Sequence, residues 1–367
     1  MSLKKITAVT AGLTLAMAAL VACGNSDDTG GGGGGGEALI GITMPDRALE
    51  RWNRDGSKLQ EELEAMGYKT DLQYAENSPE TQVSQLENQI NAGAKVLVVA
   101  SIDSEALGPI LATAADKGIT IIAYDRLLMK TPNVDYYATF DNAGVGQLQG
   151  EFLRDALDLD NRTDPVNFES FAGSDDDNNA GLFFGGAWDV LQPYFDEGKL
   201  VCQSGKCPAT KDKWMDVSIH GWVSADAQTE MQTRLNSFYT DKKVEAILSP
   251  NDSLAFGIAA ALDGAGYQPG VDWPLLTGQD GDEANVKNII AGKQSMTVFK
   301  DTRLLATAVA KMVDQIVKGD SVETNTTYNN DVQEVPTMQL DPQVVTEDTV
   351  QAIMVDSGFF TPEQLGL

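Results

Sequence analysis

The chain has 367 residues, 42% of them hydrophobic and 22% charged, with a formal net charge of −28. That is a globular composition, long enough for two domains. So acidic a surface repels phosphate backbones and anionic headgroups, which argues against nucleic-acid binding before any motif is read.

Lys4 and Lys5 open the chain, and an apolar stretch follows over residues 6–22. Its length of about 17 residues suits a signal-peptide core better than a membrane span. It ends Leu20-Val21-Ala22-Cys23 and passes into Gly24-Asn25-Ser26-Asp27, a pattern that resembles a bacterial lipobox. The resemblance implies cleavage before Cys23 and lipidation of that cysteine; an ordinary signal peptide with a chance cysteine is the alternative. Two or more acyl chains on one residue hold a protein stably at a membrane surface, where one does not. An unbroken glycine run, Gly30 to Gly36, then reads as a flexible tether. Residues 1–22 are thus expected to be a signal peptide and 23–37 a lipidated cysteine and tether. This places the body outside the cell, anchored to the outer face of the cytoplasmic membrane.

From residue 38 on, strand and helix patterns alternate. Strands are expected at 39–44, 70–74, 96–100, 119–124 and 137–140, with helices at 51–66, 81–92 and 105–117. The rhythm restarts with helices at 145–157, 179–195, 225–239, 254–265, 284–291 and 303–317. Between them lie strands at 166–171, 244–248, 275–277 and 296–299, and a short one at 200–203. The tail from Val332 reads as strand and loop, with a short helix near 347–354 that Thr346 could cap. Apolar strands separated by amphipathic helices indicate parallel sheets covered on both faces. Two such runs predict an α/β protein of two doubly wound lobes.

Cys202 and Cys207 bracket a turn-like Gln-Ser-Gly-Lys, which outside the cytoplasm reads as a local disulfide. Zinc needs about four ligands, and His220 is the only histidine in the sequence. Neither a metal nor a cofactor is expected.

In open α/β sheets, ligands bind beyond the carboxyl ends of the strands. At those ends stand Glu50-Arg51-Trp52, Ser101-Ile102-Asp103, Tyr124-Asp125-Arg126, residues 173–179, Asn251-Asp252, Gln279-Asp280 and Lys300-Asp301. Acids, amides and cations mixed in this way suit a neutral polyhydroxylated ligand. Each hydroxyl can donate to a carboxylate and accept from a cation, in charge-assisted bonds. Trp52 and Trp222 offer faces for an apolar ring surface. Any single Asp or Asn here reads equally well as the N-cap of the next helix. Arg51, Arg126 and Lys300 do not, because a cation near a helix N-terminus opposes the dipole.

Taken in order with Asp177-Asn178-Asn179-Ala180, Gly221-Trp222, Pro250-Asn251-Asp252, Gly278-Gln279-Asp280 and Val298-Phe299-Lys300, these segments resemble a known family. They are similar to type I periplasmic binding proteins of pentose and hexose importers, in the xylose-binding and multiple-monosaccharide-binding branch. The similarity runs from about Ile40 to the C-terminus. It implies a monomer that captures an aldose such as xylose, glucose, galactose or arabinose and delivers it to the permease subunits of an ABC importer. Arg51 and Arg126 would donate to the sugar and Asp125 accept. Asp177 and Asn179 would contact it from the second lobe, with Asn251, Asp280 and Lys300 completing the polar shell. Trp52 and Trp222 would stack. The family's hinge crosses three times, here near Asp141, Lys300 and Tyr328. That gives a first lobe of residues 38–141 and 302–328 and a second of 142–301 and 329–367. Ligand would close the hinge, and the importer would read the closed form. The Cys202–Cys207 segment departs from this branch.

Rival readings fit less well. No serine sits in a Gly-x-Ser-x-Gly elbow and no Walker A motif is present. Gly144-Val145-Gly146 has the wrong spacing for a dinucleotide loop and is expected simply to begin a helix. Asp175, Asp177 and Asn179 alternate as in a calcium loop, but Ala180 stands where the glycine belongs. An extracytoplasmic sugar sensor, presenting its closed form to a receptor kinase or chemoreceptor, shares every feature above.

Overall fold

The computed structural model describes residues 38–367; the leader, Cys23 and the glycine tether lie outside the described residues. The first lobe begins with β1 (Leu39–Met44), α1 (Glu50–Ala65), β2 (Lys69–Tyr74), α2 (Pro79–Asn91), β3 (Val96–Val99), α3 (Gly108–Asp116), β4 (Thr120–Tyr124) and β5 (Tyr136–Phe140). The second follows with α4 (Asn142–Ala156), β6 (Val166–Ser170), α5 (Asn178–Asp196), β7 (Leu200–Val201), α6 (Ser224–Phe238), β8 (Ala246–Leu248), α7 (Asp252–Gly264), β9 (Leu275–Leu276), α8 (Glu283–Ile290) and β10 (Thr297–Phe299). Then come α9 (Thr302–Lys318), β11 (Thr326–Asn329), β12 (Glu334–Leu340), β13 (Gln343–Val345) and α10 (Pro362–Leu365).

The first sheet has the order β11-β12-β5-β4-β3-β1-β2, parallel throughout except for β11. Its interior strand β3 is Val-Leu-Val-Val, buried at every position, because helices cover both faces. On one face Leu59 and Leu63 of α1 meet Leu305, Val309 and Val313 of α9. On the other, Leu86 and Ile90 of α2 join Leu111 and Ala114 of α3. The second sheet runs β7-β6-β8-β9, all parallel, and a bridge from Gln279 to Val298 extends it to β10. Strand β13 closes that edge, antiparallel to β10.

The chain passes between the sheets at Asp141, at Lys300–Asp301 and at Asp341–Pro342. The third passage corrects an expectation: it lies after Leu340, not near Tyr328. β12 pairs with β5, Thr337 opposite Tyr137, so residues 329–340 belong to the first lobe. The buried side chain of Asn330 makes the hairpin that returns the chain. It accepts from Val332 and Gln333 N–H and donates to the Leu128 and Thr131 carbonyls. In the tail, the short helical turn spans Gln351–Val355, and Thr346 does not cap it; Thr346 closes a tight turn with Thr349 and Val350 instead. Cys202 and Cys207 are joined in a disulfide, with Cα atoms 6.0 Å apart.

Candidate functional site

The buried stripe of α1 carries Arg51, Asp55, Leu59 and Leu63 at successive helical turns. Leu59 and Leu63 enter the core, so the same stripe delivers Asp55 and Arg51 to the cleft. Each of the three guanidinium nitrogens of Arg51 donates to a carboxylate, which leaves N–H groups on the two Nη atoms for a ligand. Nε donates to Asp55 Oδ2 (3.1 Å), Nη2 to Asp125 Oδ1 (2.8 Å) and Nη1 to Asp280 Oδ1 across the cleft (3.2 Å). Asp55 also accepts from the Tyr124 hydroxyl, which fixes it behind the arginine.

Asp125 follows β4 with φ +58°, a left-handed conformation that an aspartate adopts at some cost. Its backbone is held from several sides. Its N–H donates to the Ala138 carbonyl (2.7 Å), and its own carbonyl accepts from Tyr137 Oη (2.6 Å), Thr139 Oγ1 (3.1 Å) and Asn179 Nδ2 (2.8 Å). The last of these comes from the second lobe. Arg126 donates to the Ser101 carbonyl (3.0 Å), and its Nε lies 2.9 Å from Asp177 Oδ2. The Arg51 and Arg126 guanidinium carbons lie 4.5 and 5.2 Å from the Trp52 ring centroid, so Trp52 orients both cations.

In the second lobe, two residues do double duty. Asp177 caps α5 by accepting from the Asn179 N–H, and Asn251 caps α7 by accepting from the Leu254 N–H. Trp222 has φ +58° and packs against the edge of Phe183. Asp280 has φ +102°, and its N–H donates to the Val298 carbonyl. Lys300, 2% exposed, stands 3.1 Å from Asp280 Oδ1 and 3.9 Å from Asp125 Oδ1.

These residues line a pocket between the lobes. All ten residues expected from the sequence line it: Arg51, Trp52, Asp125, Arg126, Asp177, Asn179, Trp222, Asn251, Asp280 and Lys300. Three cations face three carboxylates, so the lining has no net charge with which to attract an ion. Burial alone would raise the Asp125 carboxyl, but Arg51, Lys300 and Arg126 outweigh it and hold that group below the usual carboxylate range. Asp177 and Asp55 are raised by burial, only partly offset by Arg126 and Arg51 respectively. Desolvated ion pairs of this kind contribute little net stability. Their concentration around one cavity points to binding.

A family model described as a periplasmic binding protein domain matches residues 40–321. The chain belongs to that family. Among relatives of this periplasmic binding protein is the multiple sugar-binding periplasmic protein SbpA of Azospirillum brasilense. It is 45% identical over 327 residues, covering 89% of this chain and 90% of that protein. The multiple sugar-binding periplasmic receptor ChvE of Rhizobium radiobacter is 43% identical over 366 residues, covering 99% of this chain and 100% of its own. Among solved structures, an ABC transporter solute-binding protein from Clostridium phytofermentans with bound β-D-glucose has 47% identity and a TM-score of 0.85. It covers 89% of this chain and 99% of that one. The family is one of binding proteins rather than enzymes.

Leu49 and Phe183, which the sequence did not single out, and Gln279, which it placed at a strand end without a ligand role, also line the cavity of this periplasmic binding protein. Phe183 sits one helical turn after Asn179, and Gln279 is the neighbour of Asp280. Gln279 Oε1 and the indole nitrogens of Trp52 and Trp222 are buried without a protein hydrogen-bond partner. At the rim, Asp282 is pushed up to about 7, by burial first and then by Asp280, against the pull of Arg54.

Proposed function

We propose that this chain is the extracytoplasmic receptor of an ABC sugar importer, capturing one aldopentose or aldohexose between its lobes. The observation that carries the reading is the enclosed lining of balanced charge. Arg51, Arg126 and Lys300 are placed to donate to ring and hydroxyl oxygens, and Asp125, Asp177 and Asp280 to accept. Asn179 and Asn251 can do both. Trp222, backed by Phe183, supplies an aromatic face for the C–H side of a sugar ring. The relatives named for sugar binding support the same class of ligand. The lipobox-like sequence supports an anchor at Cys23, with the glycine run as tether.

A thermal-shift screen of residues 37–367 against xylose, glucose, galactose and arabinose tests this. A ligand that binds only the folded state raises the melting temperature by mass action. The expected result is an upward shift with one or more aldoses, lost in Asp280→Ala and in Arg126→Ala. No shift at millimolar concentration with any of the four would reject the aldose reading.

A further inference from the structure

A second set of contacts crosses the cleft at its rim, outside the cavity. Arg54 lies on α1, close to Arg51, but does not line the cavity. Its Nη2 donates to Asp282 Oδ1 of the second lobe at 3.0 Å, and its Nη1 bonds Glu50 on its own helix. The other Glu50 oxygen accepts from the Glu283 N–H at the start of α8, 3.3 Å away. The guanidinium carbon also stands 5.0 Å from the Phe359 ring centroid and 5.8 Å from that of Phe360. Phe360 is buried with Phe299, Val345 and Ile289, which tie β10, β13 and α8 together. One side chain of the first lobe therefore grips both a carboxylate and an aromatic pair of the second. The Arg54 side chain is 21% exposed and that of Asp282 14%. This is more enclosed than the surface pairs that contribute almost nothing.

We propose that Arg54 is a positioning residue for sugar capture: with Glu50, Asp282 and Phe359 it forms a latch that favours the closed lobes without touching the ligand. This rests on the reading of the cavity as a sugar site. Apparent affinity scales with the population of the binding-competent state. A latch outside the cavity therefore changes the affinity for every sugar by the same factor. A residue that touches the sugar changes the ranking between sugars instead.

The test is titration calorimetry of residues 37–367, wild type and Arg54→Ala, with D-glucose and D-xylose. The expected result is a loss of about 10- to 100-fold for both sugars, as the binding-competent population falls, with the glucose-to-xylose ratio preserved. Arg54→Lys keeps the charge but loses the planar fork and its stacking; it recovers part of the affinity and guards against a folding failure in the alanine variant. Spin labels introduced by Lys117→Cys and Lys242→Cys, at one exposed site on each lobe, report lobe separation without sugar. Arg54→Ala shifts that distribution to longer distances. Unchanged affinity for both sugars overturns the latch, and so does a change in the ratio as large as the loss itself. If the wild type binds neither sugar, the sugar reading fails on its own. The lobe distances then still decide: longer in the variant supports the latch, equal overturns it.

Discussion

Asp125, Trp222 and Asp280 all hold a positive φ, and all three line the cavity. Such backbones cost of order 1–3 kcal/mol each and persist only where the surroundings over-determine them. The three donors on the Asp125 carbonyl are that over-determination. Trp222 depends on a neighbour without a side chain. A Cβ on Gly173 would stand 2.0 Å from the Trp222 ring, so the indole lies directly on the strand end. Gly173→Ala is therefore expected to displace the ring, cost about 1–3 kcal/mol of stability, and weaken D-glucose binding at least tenfold. Calorimetry together with tryptophan fluorescence reads both effects. A variant that binds glucose as tightly as the wild type would remove Trp222 from the site.

At the scale of elements, the sequence made most of the fold legible because β1, β3, β8 and β9 are short, apolar and each followed by a helix. The hairpin of β11 and β12 was not legible. Pro336 lies inside β12, and a proline argues against a central strand. Its partner β5 is also almost two hundred residues away, so no local pattern announces the pairing. The site was legible for a related reason: strand ends point at the cleft wherever the fold is doubly wound. Yet capping and ligand contact were not alternatives, since Asp177 and Asn251 cap helices and line the cavity at once. Phe183 escaped notice because a phenylalanine on an apolar helix face reads as core. The disulfide belongs to this scale too. Its loop is pinned where Ser204 Oγ donates to buried Glu169 (2.7 Å), which also holds Arg234 (2.9 Å) and Tyr239 (2.7 Å). Closing so short a ring stabilises by about 2 kcal/mol in the chain-entropy account. Neither cysteine lines the cavity. Replacing both with serine is expected to lower the unfolding free energy by about that amount in denaturant titration and to leave sugar affinity unchanged. A loss of affinity would tie the loop to the site.

For the whole molecule, opening and closing is expected to carry a proton. In the closed form Asp282 faces Asp280, Glu50, Arg54 and Arg51, and its N–H donates to Asp252, whose own carboxyl burial raises well above the usual range. Asp282 stands at about 7 there, against an ordinary value of 3.8. An open cleft returns it to water and towards the ordinary value. A carboxyl raised in the closed form favours closure most below the ordinary value, and that contribution is lost as pH rises through about 7. Apparent affinity for D-glucose should therefore rise by up to about tenfold from pH 8 to pH 6, the slope of one proton. Asp177, raised by burial against Arg126, adds a slope of the same sign. Asp282→Asn should accordingly remove about one proton of linkage and leave the remainder. Arg54 works against the rise at Asp282, so the deficit of Arg54→Ala should be larger at pH 8 than at pH 6. Calorimetry in buffers of different ionisation enthalpy counts the proton directly. Equal proton uptake by the wild type and Asp282→Asn would place the titration elsewhere.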